Sequence, residues 1–419
     1  MANCSRRLSK AFLCASFAAL LLAKEARAAE LQPIRSNDYN LELVFSPVLA
    51  SGRETALAGA GVAIASGVDG ATVSAASPAV RDPKQRGWFE WDVGASISLP
   101  GALRTDGDVF NAGERGVRLG GLSTQGWVHA SLGLNLQFGA FGVTHSTQAD
   151  SFAIQRPEGS LLINFARHSE LVAHSFERGQ LVIGAGIRIM SATVDVSVAN
   201  NTKQLLSLLG AAPEVGASWM PDGKPYRLSA TLRAPINVSV ELGERESGVA
   251  IADSLALPSG IRQPWELDFG VAYQLGPRPL NVAWDNPHDG PQAPAKEYPR
   301  QRATLLLSMR VLGANQGAVS LLGFAEQVKD GSSAVTFAPH FGLETEPWPN
   351  AVKIRTGAYL EPARLVGSNT RPHWTSGLEV RIAHLDPFSF VKGFDLGFQA
   401  YLDAAPRYTN IGGFFTIWK

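Results

Sequence analysis

Residues 127–138 read WVHASLGLNLQF: Val128, Ala130, Leu132, Leu134, Leu136 and Phe138 share one face of an extended chain, and His129, Ser131, Gly133, Asn135 and Gln137 share the other. A tilted strand crossing a membrane needs about 9 to 11 residues, whereas strands of soluble sheets average about 5 or 6. The same alternation recurs along the chain. Phe89, Trp91, Val93, Ala95, Ile97 and Leu99 oppose Glu90, Asp92, Gly94, Ser96 and Ser98. Leu181, Ile183, Ala185, Ile187 and Ile189 oppose Gly184, Gly186 and Arg188, and Tyr226, Leu228, Ala230 and Leu232 oppose Arg227, Ser229, Thr231 and Arg233. Trp265 to Leu275 and His373 to Ile382 repeat the pattern, with Glu266, Asp268, Glu379 and Arg381 on the polar side. Soluble sandwiches alternate too, but seldom for so long with charges confined to one face. These strands predict an all-β chain, a transmembrane antiparallel up-and-down barrel with one face in lipid and one in a polar lumen. The lumen face is expected to be wet, so that a charge at Asn135 is tolerated where one at Leu134 is not.

Outward from that stretch, the rest of the chain fits. No apolar run past the N-terminal segment reaches the roughly 18 residues of a membrane helix, which excludes a helical membrane protein. About 14 strand-like segments fall between Gly87 and Lys419. Aromatic residues at strand ends, among them Trp88, Trp91, Trp127, Trp219, Tyr226, Trp265, Trp374, Phe388, Phe390 and Trp418, suit the interfacial girdles of a barrel. Asn200 to Leu209, NNTKQLLSLL, predicts a short capped helix on a long loop. Gly276 to Arg302, with Pro287, Pro291, Pro294 and Pro299, cannot join a sheet and predicts the largest exposed loop.

At the N-terminus, Arg6, Arg7 and Lys10 precede the apolar Ala11 to Ala23, and Ala26-Arg27-Ala28 offers a small-x-small cleavage site. Residues 1–28 read as an export signal removed after Ala28. Cys4 and Cys14 leave with it, so thiol catalysis, disulfides and cysteine-held metal are excluded from the mature chain. The mature chain carries 32 basic and 36 acidic residues, which gives no basic patch for nucleic acid. No G-x-S-x-G, H-E-x-x-H, P-loop or dinucleotide fingerprint is present, and an enzyme is not expected. The eight histidines are dispersed; His168, Glu170 and His174 share a strand face and read as lumen or rim polarity. No cofactor or metal is expected.

Arg53 to Arg81, RETALAGAGVAIASGVDGATVSAASPAVR, is different: small, glycine-rich and nearly free of charge. It can lie close to other surfaces but cannot build a core alone, so it needs a container. The run LAGAGVAIA after Arg53, the turn at Val68-Asp69-Gly70 and then Ser77-Pro78-Ala79 resemble the N-terminal hatch of FadL-type outer-membrane transporters of hydrophobic compounds. In that family and its PorV-like relatives an Asn-Pro-Ala motif stands where Ser77 begins this one. Glu214 to Pro235, ending in Arg-x-Pro, and Leu257 to Tyr273, with Gly-Val-Ala-Tyr, are similar to family strands. Asn410 to Ile417, NIGGFFTI, resembles the C-terminal signal read by the barrel-assembly machinery.

The resemblance implies a signal peptide at 1–28, a hatch at 29–86 inside the lumen, and an outer-membrane barrel of about 14 strands at 87–419 with both ends in the periplasm. It implies a channel of a Gram-negative outer membrane for fatty-acid-like or other hydrophobic ligands, in contact with outer-membrane lipid. The alternative is a PorV-like structural or secretion-associated barrel that binds partner proteins. Gating residues would be Arg53, Gly59, Gly61, Ser77, Pro78 and Ala79, with Glu90 or Asp92 as lumen partners of the hatch; Arg53, the only basic residue between Arg35 and Arg81, is expected to pair with one of them.

Overall fold

The computed structural model describes residues 31–45, 47–81, 87–103, 107–116, 126–156, 159–198, 201–239, 241–242, 255–276, 280–281, 303–315, 317–331, 334–349, 351–385 and 393–418. Alternation is what builds the wall. Among the described residues fourteen strands form the ring, β1 Phe89–Pro100, β2 Val128–Phe138, β3 Phe141–Arg156, β4 Gly159–Phe176, β5 Leu181–Val198, β6 Asn201–Trp219, β7 Tyr226–Arg233, β8 Glu266–Leu275, β9 Ala303–Leu312, β10 Thr336–Trp348, β11 Val352–Glu361, β12 Arg371–Leu385, β13 Phe394–Ala405 and β14 Tyr408–Trp418. Each pairs antiparallel with its chain neighbour. The seam is β14 against β1, running from Asn410↔Pro100 to Trp418↔Asp92, so no edge is left open.

The two faces separate as the alternation requires. Leu132 is 56% exposed and Leu134 41%, while Asn135 is 2% and Gln137 1%. Ile97, Ile187, Leu228, Phe269, Phe341, Ile354, Leu378 and Phe398 extend the apolar belt around the whole ring, and Trp88, Trp219, Trp348 and Trp374 stand exposed toward its margins. Such a belt is unstable in water and stable in hydrocarbon. Glu344, Glu346 and His373 point inward and are fully buried.

Three expectations need correction. Asn201–Trp219 is one strand, not a helix on a loop: Leu206 pairs with Val194 across a bulge and is buried with Leu208 in the interior, so sheet pairing overrides a helical pattern. Trp127 is 2% exposed and stacks on Phe152 at 4.5 Å instead of joining a girdle. The inward face is packed, not wet: Asn135 donates to Asp92 (2.8 Å) and accepts from Thr144 (2.7 Å), leaving no room for a larger charge there. Of the proline-rich 276–302, only Gly276, Leu280 and Asn281 lie within the described residues; the rest of that expected loop falls outside them.

Long strands β3 to β6 rise past their neighbours at the end opposite the C-terminus, the end at which the N-terminal segment enters. There a second, four-stranded sheet sits inside, made of Ile236–Ser239, Gly260–Gln263, Asn40–Glu42 and Ala318–Ser320 in that order. Asn40–Glu42 runs parallel to both of its neighbours, so the N-terminal segment enters the interior as an inner strand. Leu134→Arg is expected to destabilise the folded barrel in lipid by about 2 to 4 kcal/mol. Urea unfolding followed by tryptophan fluorescence in bilayers checks it; no shift in midpoint would mean that the belt does not face lipid.

Candidate functional site

Small side chains decide where the N-terminal segment can lie. From Asn40 the chain runs down the interior through Leu43, Val48 and Leu49, all nearly inaccessible, and then folds into short turns. These are a helix at Gly52–Ala56 capped by Ser51, a 3-10 turn at Ala60–Ile64, a helical turn at Gly67–Gly70 and a 3-10 turn at Ser77–Ala79. Gly59 permits the left-handed backbone (φ +74°) that starts the second of these. Glycines of the wall permit the close approach. A Cβ on Gly184 would lie 1.9 Å from the carbonyl oxygen of Ala75, and one on Gly142 2.0 Å from that of Pro78.

Polar contacts then reach strands on every side of the ring. Gln399 donates to the Gly52 carbonyl (2.6 Å), Thr375 to that of Ala56 (2.8 Å), and Gln148 to that of Leu49 (3.1 Å). The amides of Val68 and Val48 donate to Asp92 (2.6 Å) and to the Tyr359 hydroxyl (3.2 Å). Ala75 N–H reaches the Thr231 hydroxyl at 3.3 Å, and Arg233 donates to the Thr72 carbonyl at 3.1 Å. Main-chain groups that no regular element would satisfy thus find partners on β1, β3, β7, β11, β12 and β13.

Of the residues singled out in the sequence, Arg53 lies on the first helix with its Nε 3.6 Å from Glu344, the carboxylate it faces, and its guanidinium also reaches Ser66. Glu344 is itself held by Arg355 (2.8 Å), which binds Glu379 (2.6 Å) and Gln399 (2.5 Å). Asp92 meets the segment through the amide of Val68, and Glu90 accepts from Gly87 N–H at 2.6 Å. Gly61 donates its amide to Glu54 at 3.1 Å, and Ser77, Pro78 and Ala79 are fully buried against β2 to β5.

Above this segment the interior changes character. The inward face of β3 passes from Ser146, Gln148 and Asp150 to Phe152 and Ile154, while β4 supplies Leu161, Ile163 and Phe165 and β5 Met190, Val194 and Val196. Phe45 of the N-terminal segment packs edge-on into this aromatic group, with ring centroids 5.2 Å from Trp127, 5.9 Å from Phe152 and 5.5 Å from Phe165. The sequence signal was there: on the inward face of β4, Leu161, Ile163 and Phe165 are large and apolar, where the same face carries Arg167 and Ser169 further along.

Between the apolar compartment and the small-residue segment lies a cavity lined by Phe45, Thr72, Arg167, Arg188, Arg233 and Arg310. Arg233 is saturated by Glu214 (3.1 Å), Glu266 (2.5 Å) and Asp268 (2.6 Å), and Arg310 by Asp268 (2.9 Å). Arg167 and Arg188 are not: Asp150 and Glu266 lie 3.7 and 4.0 Å away, and Arg167 Nε and Nη2 and Arg188 Nε are buried without a hydrogen-bond acceptor. Buried guanidinium donors left unmatched are costly, and an entering anion would satisfy them. The space open to water centres is about 80 Å³, room for a few waters but not for an alkyl chain. Phe45 and the segment below it close this space on two sides.

The fold and this interior define a closed, internally filled fourteen-stranded barrel. The solved structures that it resembles in fold include a monoaromatic hydrocarbon channel, CymD (10% identity, 90% of this chain and 98% of that chain covered, TM-score 0.53), a FadL homologue of Pseudomonas aeruginosa (10%, 90% and 99%, 0.52), and the toluene transporter TodX of P. putida (10%, 90% and 99%, 0.50). No protein family and no curated protein matches the sequence.

Two outcomes follow from this packing. Gly184→Val should expel the segment around Ala75 while leaving the ring intact, at a cost of about 1 to 3 kcal/mol or more, because the clash is with main chain. Protease cleavage within 52–80, in a protein that still resists unfolding in detergent, would confirm it; continued protection would refute it. Burial pushes the Glu54 carboxyl up to about 7 against the opposing pull of Arg53, with Asp69 adding to the rise and Arg355 opposing it. Since this lies above the ordinary 4.5, the folded state holds the proton more tightly, and the stability Glu54 confers is complete below about 4.5 and lost as pH rises through about 7. Hydrogen-exchange protection of residues 52–64 should fall over that window, and Glu54→Gln should remove the fall.

Proposed function

We propose that this chain is an outer-membrane channel for hydrophobic compounds, exported by a cleaved signal at 1–28 and inserted through its C-terminal strand by the barrel-assembly machinery, with residues 29–86 acting as a hatch. The observation that carries the reading is the apolar compartment of Phe45, Trp127, Phe152 and Phe165, stacked directly on a cavity with unmatched arginine donors and closed below by small residues. An apolar solute partitions into such a compartment for the reason it leaves water. The named hydrocarbon and toluene channels with this fold support the solute class. Arg167 and Arg188 favour a carboxylate at one end of the ligand, as in a long-chain fatty acid. Arg53, Gly59, Gly61 and Ser77 to Ala79 serve the hatch by holding it in place.

The alternative, a structural or secretion-associated barrel that holds partner proteins, gives no use to the apolar compartment. Deleting 53–77 should leave an inserted barrel that leaks small polar solutes and no longer takes up apolar ones selectively. In the intact length, Arg167→Gln with Arg188→Gln should weaken binding of a fluorescent fatty acid at least tenfold while leaving that of a neutral aromatic hydrocarbon within twofold. Unchanged leakage and uptake after the deletion would end the transporter reading; equal loss of both ligands in the double variant would end the carboxylate reading alone.

A further inference from the structure

Among the described residues, the outward face of one part of the wall carries a cluster of ionisable side chains. On the outward faces of β3 and β4, His145 pairs with Glu170 and Thr147 with His168 across the ladder. His145 Nδ1 lies 2.5 Å from Glu170 Oε1, Thr147 Oγ1 lies 2.8 Å from His168 Nδ1 and 3.2 Å from His145 Nε2, and the side chains of His145 and Glu170 are 48% and 50% exposed. These residues are on the outside of the wall, not in the lumen or at the rim where the sequence pattern had put His168 and Glu170. Leu132 and Leu134 flank them on β2, and Ile187 and Ile189 on β5, so the neighbours on both sides are lipid-type residues.

Depth makes the patch expensive. His145 lies four residues beyond Phe141 and Glu170 six residues before Phe176, the exposed aromatics at the terminal margin. At about 3.3 Å per residue and about 40° of tilt they stand about 10 to 15 Å into a belt about 25 Å tall, near its middle. Ionisable groups at that depth are costly in hydrocarbon and mark a place that something other than lipid covers.

We infer that the β3–β4 wall is the contact face of a homodimer, with a second copy of this chain covering the cluster. The argument is complementarity. The Thr147 hydroxyl takes His168 Nδ1 and His145 takes Glu170 Oε1, so the remaining donor, His168 Nε2–H, and the remaining acceptor, Glu170 Oε2, belong to side chains on the outer face of the wall. One donor and one acceptor side by side form a self-complementary pair: across a two-fold axis, His168 of each copy meets Glu170 of the other. Both copies must insert in the same sense, so the axis runs along the membrane normal and matched groups lie at similar depth. His168 and Glu170, two residues apart on a tilted strand, differ by about 5 Å in depth, within reach of these side chains. Beside the cluster, Ala149 pairs with Ala166, and two such small residues let the walls approach closely.

The face is tested on the full chain in native membranes. With Cys4 and Cys14 removed in export, Ala166→Cys should form an oxidised dimer of twice the monomer mass, while Ile354→Cys on the opposite wall should not. His168→Leu with Glu170→Leu should lower the Ala166→Cys dimer at least tenfold while the barrel stays heat-modifiable. If that variant fails to insert, the mass of the unaltered protein extracted with its lipid decides: two chains support the inference and one overturns it. Failure of Ala166→Cys to cross-link, or an adduct with a different protein, also overturns it. The outcome is independent of which solute the channel takes.

Discussion

Everything inside this molecule depends on main chain lying against main chain where side chains have been removed. Ala75 and Pro78 present carbonyl oxygens to Gly184 and Gly142 at distances that no Cβ could occupy; a Cβ on Gly342 would meet the Leu57 carbonyl oxygen at 3.1 Å, and one on Gly357 or Gly377 would meet the methyl group of Ala58 or Ala56 at 2.7 or 2.5 Å. Closeness excludes water from the seam. Once water is excluded, each buried amide and carbonyl must find a fixed partner, which is why Gln399, Thr375, Gln148, Asp92 and Tyr359 point inward. Those partners in turn fix which inward positions of the wall are polar, and charged pairs gather around Arg355 and Arg233.

The interior is therefore graded along its axis by what each level has to contact. Glycine and alanine face the folded segment, guanidinium and carboxylate groups form the next level, and aromatic and aliphatic side chains fill the end where β3 to β6 outgrow their neighbours. Along this axis the apolar phase lies at one end and the unmatched cationic donors come next to it.

The ring was legible because lipid on one side and protein on the other impose a period of two over long strands; Leu134 and Asn135 parted as their alternation required. What the alternation could not report was what fills the inside. Trp127 reads as a girdle aromatic by position, yet it lies inside because Asp150 accepts its indole N–H and Phe152 stacks on it. Asn200 to Leu209 looks helical in isolation, and only the pairing offered by β5 makes it a strand. Arg53 had two nearby acidic residues in sequence and met a carboxylate on β10, since closure of the ring decides which strands surround a buried cation. His168 and Glu170 share a face as their spacing demands, but spacing alone does not say which side of the wall that face is on.

The seam between β14 and β1 has a consequence for assembly. The chain enters the interior near Asn40 at one end, fills it, and leaves at the other end to begin β1, so the filled interior precedes the first strand of the wall while the last strand closes against that same first strand. Turns tied by hydrogen bonds to opposite sides of the wall would have to break those ties to be drawn through a finished cylinder. The wall must be wrapped around its contents, and zipping of the final ladder, Asn410 to Trp418 onto Asp92 to Pro100, is the event that traps them. Topology thus orders the pathway: the filling has to be resident before the cylinder is sealed.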